Sequence, residues 1–164
     1  MLPGQGAFQS CMDGLNNIDG MVDVLEQCVL KNKVPFLGIC IGMQLLADES
    51  YENGKHKGLG WIGGSIKKLF GPNLKLPHMG WNSLEIERQN NFLEGVNDGS
   101  WVYFVHSYMI KTKETGLIAA NADYGIKVPA VIQQKNFIGT QFHPEKSGKI
   151  GSLMLSNFLS ECKK

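Results

Sequence analysis

Val34-Pro35-Phe36-Leu37-Gly38-Ile39-Cys40-Ile41-Gly42-Met43-Gln44 changes character at its centre. Its first half is a short apolar run suited to a buried parallel strand. From Gly42 to Glu49 the chain carries Met43, Leu45, Leu46 and Ala47, good helix formers, and predicts a helix. Gly38-Ile39-Cys40-Ile41-Gly42 fits a G-x-nucleophile-x-G turn, in which a strained strand-to-helix bend presents one side chain and small flanking residues let strand and helix approach. A helix N-terminus beyond Cys40 favours a thiolate and an oxyanion beside it. On this stretch alone, a buried structural cysteine in a glycine-containing turn is the alternative.

Working outward, Met21, Val24, Leu25, Cys28 and Val29 recur at helical spacing and predict a helix over 19–32. Upstream, Pro3-Gly4-Gln5-Gly6-Ala7-Phe8 reads as a loop. Downstream, 58–69, 84–87, 101–110, 117–120 and 130–134 predict strands, many ending in Gly, Pro or Asn. Residues 133–137 predict a hairpin turn leading into a strand over 137–142. Ile150, Leu153, Met154, Asn157 and Phe158 share one side of a helix over about 149–161. The expected fold is one α/β domain over 1–164, with a parallel core and added antiparallel strands.

Composition narrows the function classes. The 164 residues are 43% hydrophobic, ordinary for a globular domain, and the net charge of +1 offers no field for nucleic acid or an anionic membrane. No apolar run reaches the ~18 residues of a membrane span. The N-terminus lacks the basic and apolar regions of a secretory signal. Cysteines at 11, 28, 40 and 162 form no CxxC pair, and the mixed surface charge suits a reduced, cytoplasmic protein. Histidines at 56, 78, 106 and 143 do not cluster with cysteines at zinc-site spacing, so neither a metal nor another cofactor is expected.

The second chemical segment is Phe142-His143-Pro144-Glu145. Proline biases His143 towards an extended backbone, and residues two apart on an extended chain point the same way. Glu145 is thus placed to orient His143, and His143 to exchange a proton with Cys40. A surface histidine near a turn is the alternative for this segment alone.

With these residues in view, the chain resembles the class I (triad-type) glutamine amidotransferases. Within that class it is most similar to the glutaminase subunit of imidazole glycerol phosphate synthase, of histidine biosynthesis. Pro3-Gly4-Gln5-Gly6-Ala7-Phe8, Gly38–Leu45, Gly58-Leu59-Gly60, Pro77-His78-Met79-Gly80-Trp81-Asn82, Tyr103–Tyr108 and Gln141–Ser147 carry the resemblance. It implies a flavodoxin-like sheet flanked by helices. It implies too that the strand–helix–strand unit preceding the Pro-Gly-x-Gly loop in family members is missing, leaving the domain incomplete at its N-terminus. Gln5 stands where a small apolar residue is common.

The resemblance also assigns roles. Cys40 attacks the side-chain amide of glutamine, His143 transfers protons, and Glu145 holds His143. The N–H of Ile41 and one from Gly4, Gln5 or Gly6 form an oxyanion hole. Gln44 and the backbone around Ser107 and Tyr108 bind glutamine. Met79, Trp81 and Lys146 face a cyclase barrel subunit, the heterodimer partner that receives the ammonia. Read without the resemblance, Met79 and Trp81 are core residues and Lys146 is a solvated charge. Two other functions stay open: a glutaminase subunit serving another synthase, such as one amidinating surface sugars, and an inactive truncated docking module.

Overall fold

The computed structural model describes residues 1–163, the side chain of Thr115 excepted. Helices α1 (Phe8–Asn16) and α2 (Met21–Glu26) come first, the latter continuing as a π-helical turn over Gln27–Lys31. Strand β1 (Phe36–Ile39) runs into the short helix α3 (Ile41–Gln44). Strands β2 (Ala47–Ser50), β3 (His56–Lys57), β4 (Ile62–Lys68), β5 (His78–Ser83) and β6 (Glu85–Ile86) follow. Then come β7 (Trp101–His106), β8 (Tyr108–Lys111), β9 (Ile118–Asp123), β10 (Lys127–Gln134) and β11 (Phe137–Thr140), before the closing helix α4 (Gly148–Glu161).

The main sheet has the order β1-β11-β10-β9-β6. Within it β1 and β11 are parallel, and the pairs β11/β10, β10/β9 and β9/β6 are antiparallel. Leu2 adds a parallel bridge on the other side of β1, donating to Leu37 O and accepting from Ile39 N. A second sheet, β3-β2-β4-β8, and the pair β5-β7 complete the fold.

Alternation along β1 decides the layering. Leu37 and Ile39 enter a core with Phe92, Phe104, Phe142 and, from α4, Met154 and Phe158. Phe36 enters the opposite core with Phe8 and Met12 of α1, Met43 and Phe137. Both faces of β1 are therefore covered, which is why it reads as a continuous apolar run.

Several expectations are corrected. The predicted helix over 42–49 stops at Gln44, and Ala47–Ser50 instead pairs with β4. Its backbone is claimed by the second sheet: Leu45 O accepts from Leu59 N, and Leu46 O from Trp61 N and Ile62 N. The single strand over 101–110 is two strands broken at Ser107. Helix α1 and strands β2, β3 and β5 were not predicted. The 133–137 turn is a hairpin between β10 and β11, with Lys135 at φ 53°.

Candidate active site

Strand β1 ends at Cys40, whose φ of 54° and ψ of −108° form a sharp corner before α3. Both glycines of the elbow are required by close approach. A Cβ on Gly38 would lie 2.6 Å from Gly42 O, and one on Gly42 would lie 1.9 Å from Leu2 O. Strand, helix and the N-terminal segment therefore meet backbone to backbone around the thiol.

A cavity of about 280 Å³ opens beside Cys40. Gln5, Gly6, Ile41, Gln44, Ser107 and Tyr108, all expected in the site, line it together with His143. Gly4 lies just outside, packed against Ile41 with Glu145 and His143 nearby. The volume suits a small amino-acid-sized ligand.

The thiol is held in a neutral state. Cys40 Sγ lies 3.9 Å from Val105 O, to which it can donate, and 3.8 Å from Gln141 Nε2, from which it accepts. Burial, with a smaller contribution from the Glu145 charge, pushes the thiol pKa up to about 11 against the opposing pull of the Ile41 N–H and Gln141. This corrects the expectation of a thiolate made by the helix dipole: α3 is only four residues long, and burial outweighs its terminal N–H.

His143 is 2% exposed in its side chain, and its Nδ1 lies 2.7 Å from Glu145 Oε1. The carboxylate can only accept, so Nδ1 carries a hydrogen, and in the neutral imidazole Nε2 presents the lone pair. Nε2 is buried without a partner. Pro144–Lys146 forms a 3₁₀ turn, so the turn brings Glu145 beneath the imidazole, where an extended chain was expected to do so. Tyr103 O accepts from His143 N, while Ser147 Oγ donates to His143 O and accepts from Tyr103 N. These bonds fix the histidine backbone to β7.

Met79 and Trp81, which the residues alone suggested as core, are 60% and 53% exposed on β5. Trp81 stacks edge-on against Tyr103, 6.1 Å between centroids, and Lys146 is exposed in the neighbouring turn. An apolar patch thus adjoins the segment that carries His143.

Three cavity residues escaped sequence reading. Glu52 accepts the Phe8 N–H at 2.7 Å through Oε2 and also lines the cavity. Val105 and His106 line it from the end of β7. For Glu52 no local signal exists, because 44 positions separate it from its partner. For His106 the signal was its place in the Tyr103–Tyr108 run.

The chain matches the glutamine amidotransferase class-I family over residues 1–162. It belongs to that family. Among similar relatives is the imidazole glycerol phosphate synthase subunit HisH of Rhodospirillum rubrum, 49% identical over 97% of this chain and 76% of the relative. The same-named subunit of Archaeoglobus fulgidus is 47% identical over 100% of this chain and 79% of its own length. A solved glutamine amidotransferase superposes with a TM-score of 0.72 at 19% identity, covering 99% of this amidotransferase and 77% of that chain. The fold is accordingly the class I amidotransferase fold, with mixed sheets flanked by helices.

Proposed function

We propose that Cys40, His143 and Glu145 of this amidotransferase hydrolyse glutamine to glutamate and ammonia. The observation that carries the reading is that Cys40 and His143, whose Nε2 is buried and unpartnered, both line one amino-acid-sized cavity. Glutamine enters with its side-chain amide towards the thiol. Sulfur attacks the amide carbon as its proton passes to His143 Nε2, and Glu145 stabilises the imidazolium. The tetrahedral oxyanion is received by the Ile41 N–H and an N–H from Gln5 or Gly6, each donor worth about 3 kcal/mol in comparable sites. His143 returns the proton to the departing ammonia. The same histidine then deprotonates water, which cleaves the thioester to glutamate and restores the thiol.

The relatives supply the biological setting. Their printed name identifies a subunit of imidazole glycerol phosphate synthase. The function is that of the glutaminase subunit of this synthase, in histidine biosynthesis, carried by a single domain over 1–164. A cyclase barrel subunit receives the ammonia and covers Met79, Trp81 and Lys146. No helix among the described residues is long and apolar enough to cross a membrane. A cytoplasmic location fits such a biosynthetic subunit. The test is glutamate formation by the chain mixed with the cyclase subunit: glutamine-dependent release supports the reading, and none in the assembled complex overturns it in favour of a docking module.

Glu52 then offers the counter-charge for the α-ammonium of glutamine. Glu52→Gln keeps an oxygen for the Phe8 N–H and replaces the other, with its charge, by an amide NH2 that cannot accept from an ammonium. A charge-assisted hydrogen bond is worth about 1.5–3 kcal/mol, so KM for glutamine should rise about tenfold to a hundredfold with kcat little changed. Steady-state kinetics separate this from a fall in kcat alone, which would assign Glu52 elsewhere.

A further inference from the structure

His106 on the cavity wall and His78 behind it form a buried pair that the proposed hydrolysis does not use. His106 Nδ1 is 2.9 Å from Tyr108 O, and His106 Nε2 is 3.0 Å from His78 Nδ1. His78 Nε2 in turn is 3.2 Å from Asn82 Nδ2. The two side chains belong to paired residues of β5 and β7. His78 is clamped between Phe104 and Tyr124, its ring centroid 4.5 and 4.0 Å from theirs and nearly parallel to both.

Both ends of this chain of bonds are fixed by backbone. Tyr108 O can only accept, so His106 Nδ1 carries the hydrogen and His106 Nε2 accepts. His78 Nδ1 must then donate, leaving its Nε2 to accept from Asn82. Asn82 is oriented for that: its Oδ1 accepts from Ser83 N at 2.8 Å and its Nδ2 also donates to Asp123 O at 2.8 Å. Burial holds both imidazoles neutral at physiological pH, the His78 pKa down at about 4 and the His106 pKa at about 3. Each ring therefore keeps one donor and one acceptor, and every bond runs in one direction, from Asn82 to Tyr108 O.

The same Tyr108 carbonyl accepts from Gln44 Nε2 at 3.0 Å, and Gln44 Nε2 also donates to Gln141 Oε1 at 3.0 Å. Both Gln44 amide hydrogens are thus used, which leaves its carbonyl oxygen for a ligand. Gln141 Nε2 completes the line at Cys40 Sγ. The bonds are continuous from strand β5 to the nucleophile.

We propose that His106 and His78 are positioning residues for the glutamine site: they set the Tyr108 carbonyl, and through it the Gln44 and Gln141 amides, in the orientation that substrate and thiol meet. The proposal rests on the glutaminase reading of the cavity. It assigns the two imidazoles no proton transfer. Their contribution is a fixed tautomer, which a hydrophobic filler of the same volume would not supply.

The test uses the full chain and two reagents for Cys40. A diazoketone analogue of glutamine must occupy the glutamine site before it alkylates the thiol, whereas iodoacetamide needs the thiol alone. His106→Gln keeps an acceptor for His78 and loses the donor to Tyr108 O; His106→Asn restores a donor near the Nδ1 position. His106→Gln should slow diazoketone alkylation about tenfold while iodoacetamide alkylation stays within about twofold of wild type, as expected for one lost hydrogen bond in a buried network. His106→Asn should recover most of the diazoketone rate.

Asn82→Asp runs the same test from the far end and stands alone where His106→Gln does not fold. A carboxylate there accepts from His78 Nε2, so both tautomers reverse and His106 loses its hydrogen towards Tyr108 O. The selective loss should recur. Parallel slowing of both reagents, an unchanged diazoketone rate, or His106→Asn no better than His106→Gln overturns the positioning role. A wild-type chain that reacts with iodoacetamide and not with the diazoketone overturns the glutaminase reading instead.

Discussion

Replacing Cys40 by alanine should abolish glutamate release while leaving glutamine binding intact. Deleting a covalent nucleophile from a complete triad costs roughly 10⁴–10⁶ in kcat. No other thiol can substitute, because Cys40 is the only cysteine among the described residues that line the cavity. Among the groups that would bind glutamine, Glu52 and the backbone at Ser107 and Tyr108 lie on elements outside the elbow, and Gln44, at the end of α3, keeps its side-chain bond to Tyr108 O and a backbone bond to Cys40 O that alanine retains. Calorimetric titration should therefore show glutamine binding to Cys40→Ala with an affinity close to that of wild type. Adding His143→Ala to Cys40→Ala should cost almost nothing further, since residues that act as a unit are not additive. Glutamate release from Cys40→Ala equal to that of wild type would sink the mechanism.

What the sequence disclosed and what it hid follow one division. The elbow was legible because Gly38, Cys40 and Gly42 act within five positions. His143 and Glu145 were legible for the same reason, although a 3₁₀ turn achieves the pairing that an extended chain was expected to give. Helix formers at Leu45 to Ala47 misled, because pairing with β4 outweighs a propensity difference of at most about 0.7 kcal/mol per residue. Strand β5 was hidden by its own role: Met79 and Trp81 are exposed and His78 is buried, the reverse of the alternation that marks a half-buried strand.

The resting state of the thiol was least legible of all. It depends on Val105 and Gln141, 65 and 101 positions from Cys40, and on burial that only the assembled fold creates. Gln44 and Gln141, 97 positions apart, share a hydrogen bond that no local pattern announces. Local motifs thus identify the reacting groups, and tertiary pairing decides their protonation.

Glu145→Gln should move two measurements in opposite directions. The carboxylate fixes the His143 tautomer and stabilises the imidazolium, so turnover should fall. A buried aspartate in the equivalent role is worth about 10⁴ in kcat. Glu145 is 45% exposed, so solvent screens its charge and a smaller loss, about 10²–10³, is expected. The same charge raises the Cys40 pKa, second to burial among the influences that raise it. Removing it should lower the thiol pKa from about 11 without bringing it to the ordinary value of 9.0, because burial remains. The pH profile of iodoacetamide alkylation should therefore shift towards lower pH, and alkylation at a fixed mildly alkaline pH should quicken. A folded variant that turns over slowly yet alkylates faster separates the orientation of the base from the acidity of the nucleophile. If both rates fell together, Glu145 would be holding the turn in place, and the imidazolium would need another source of stabilisation.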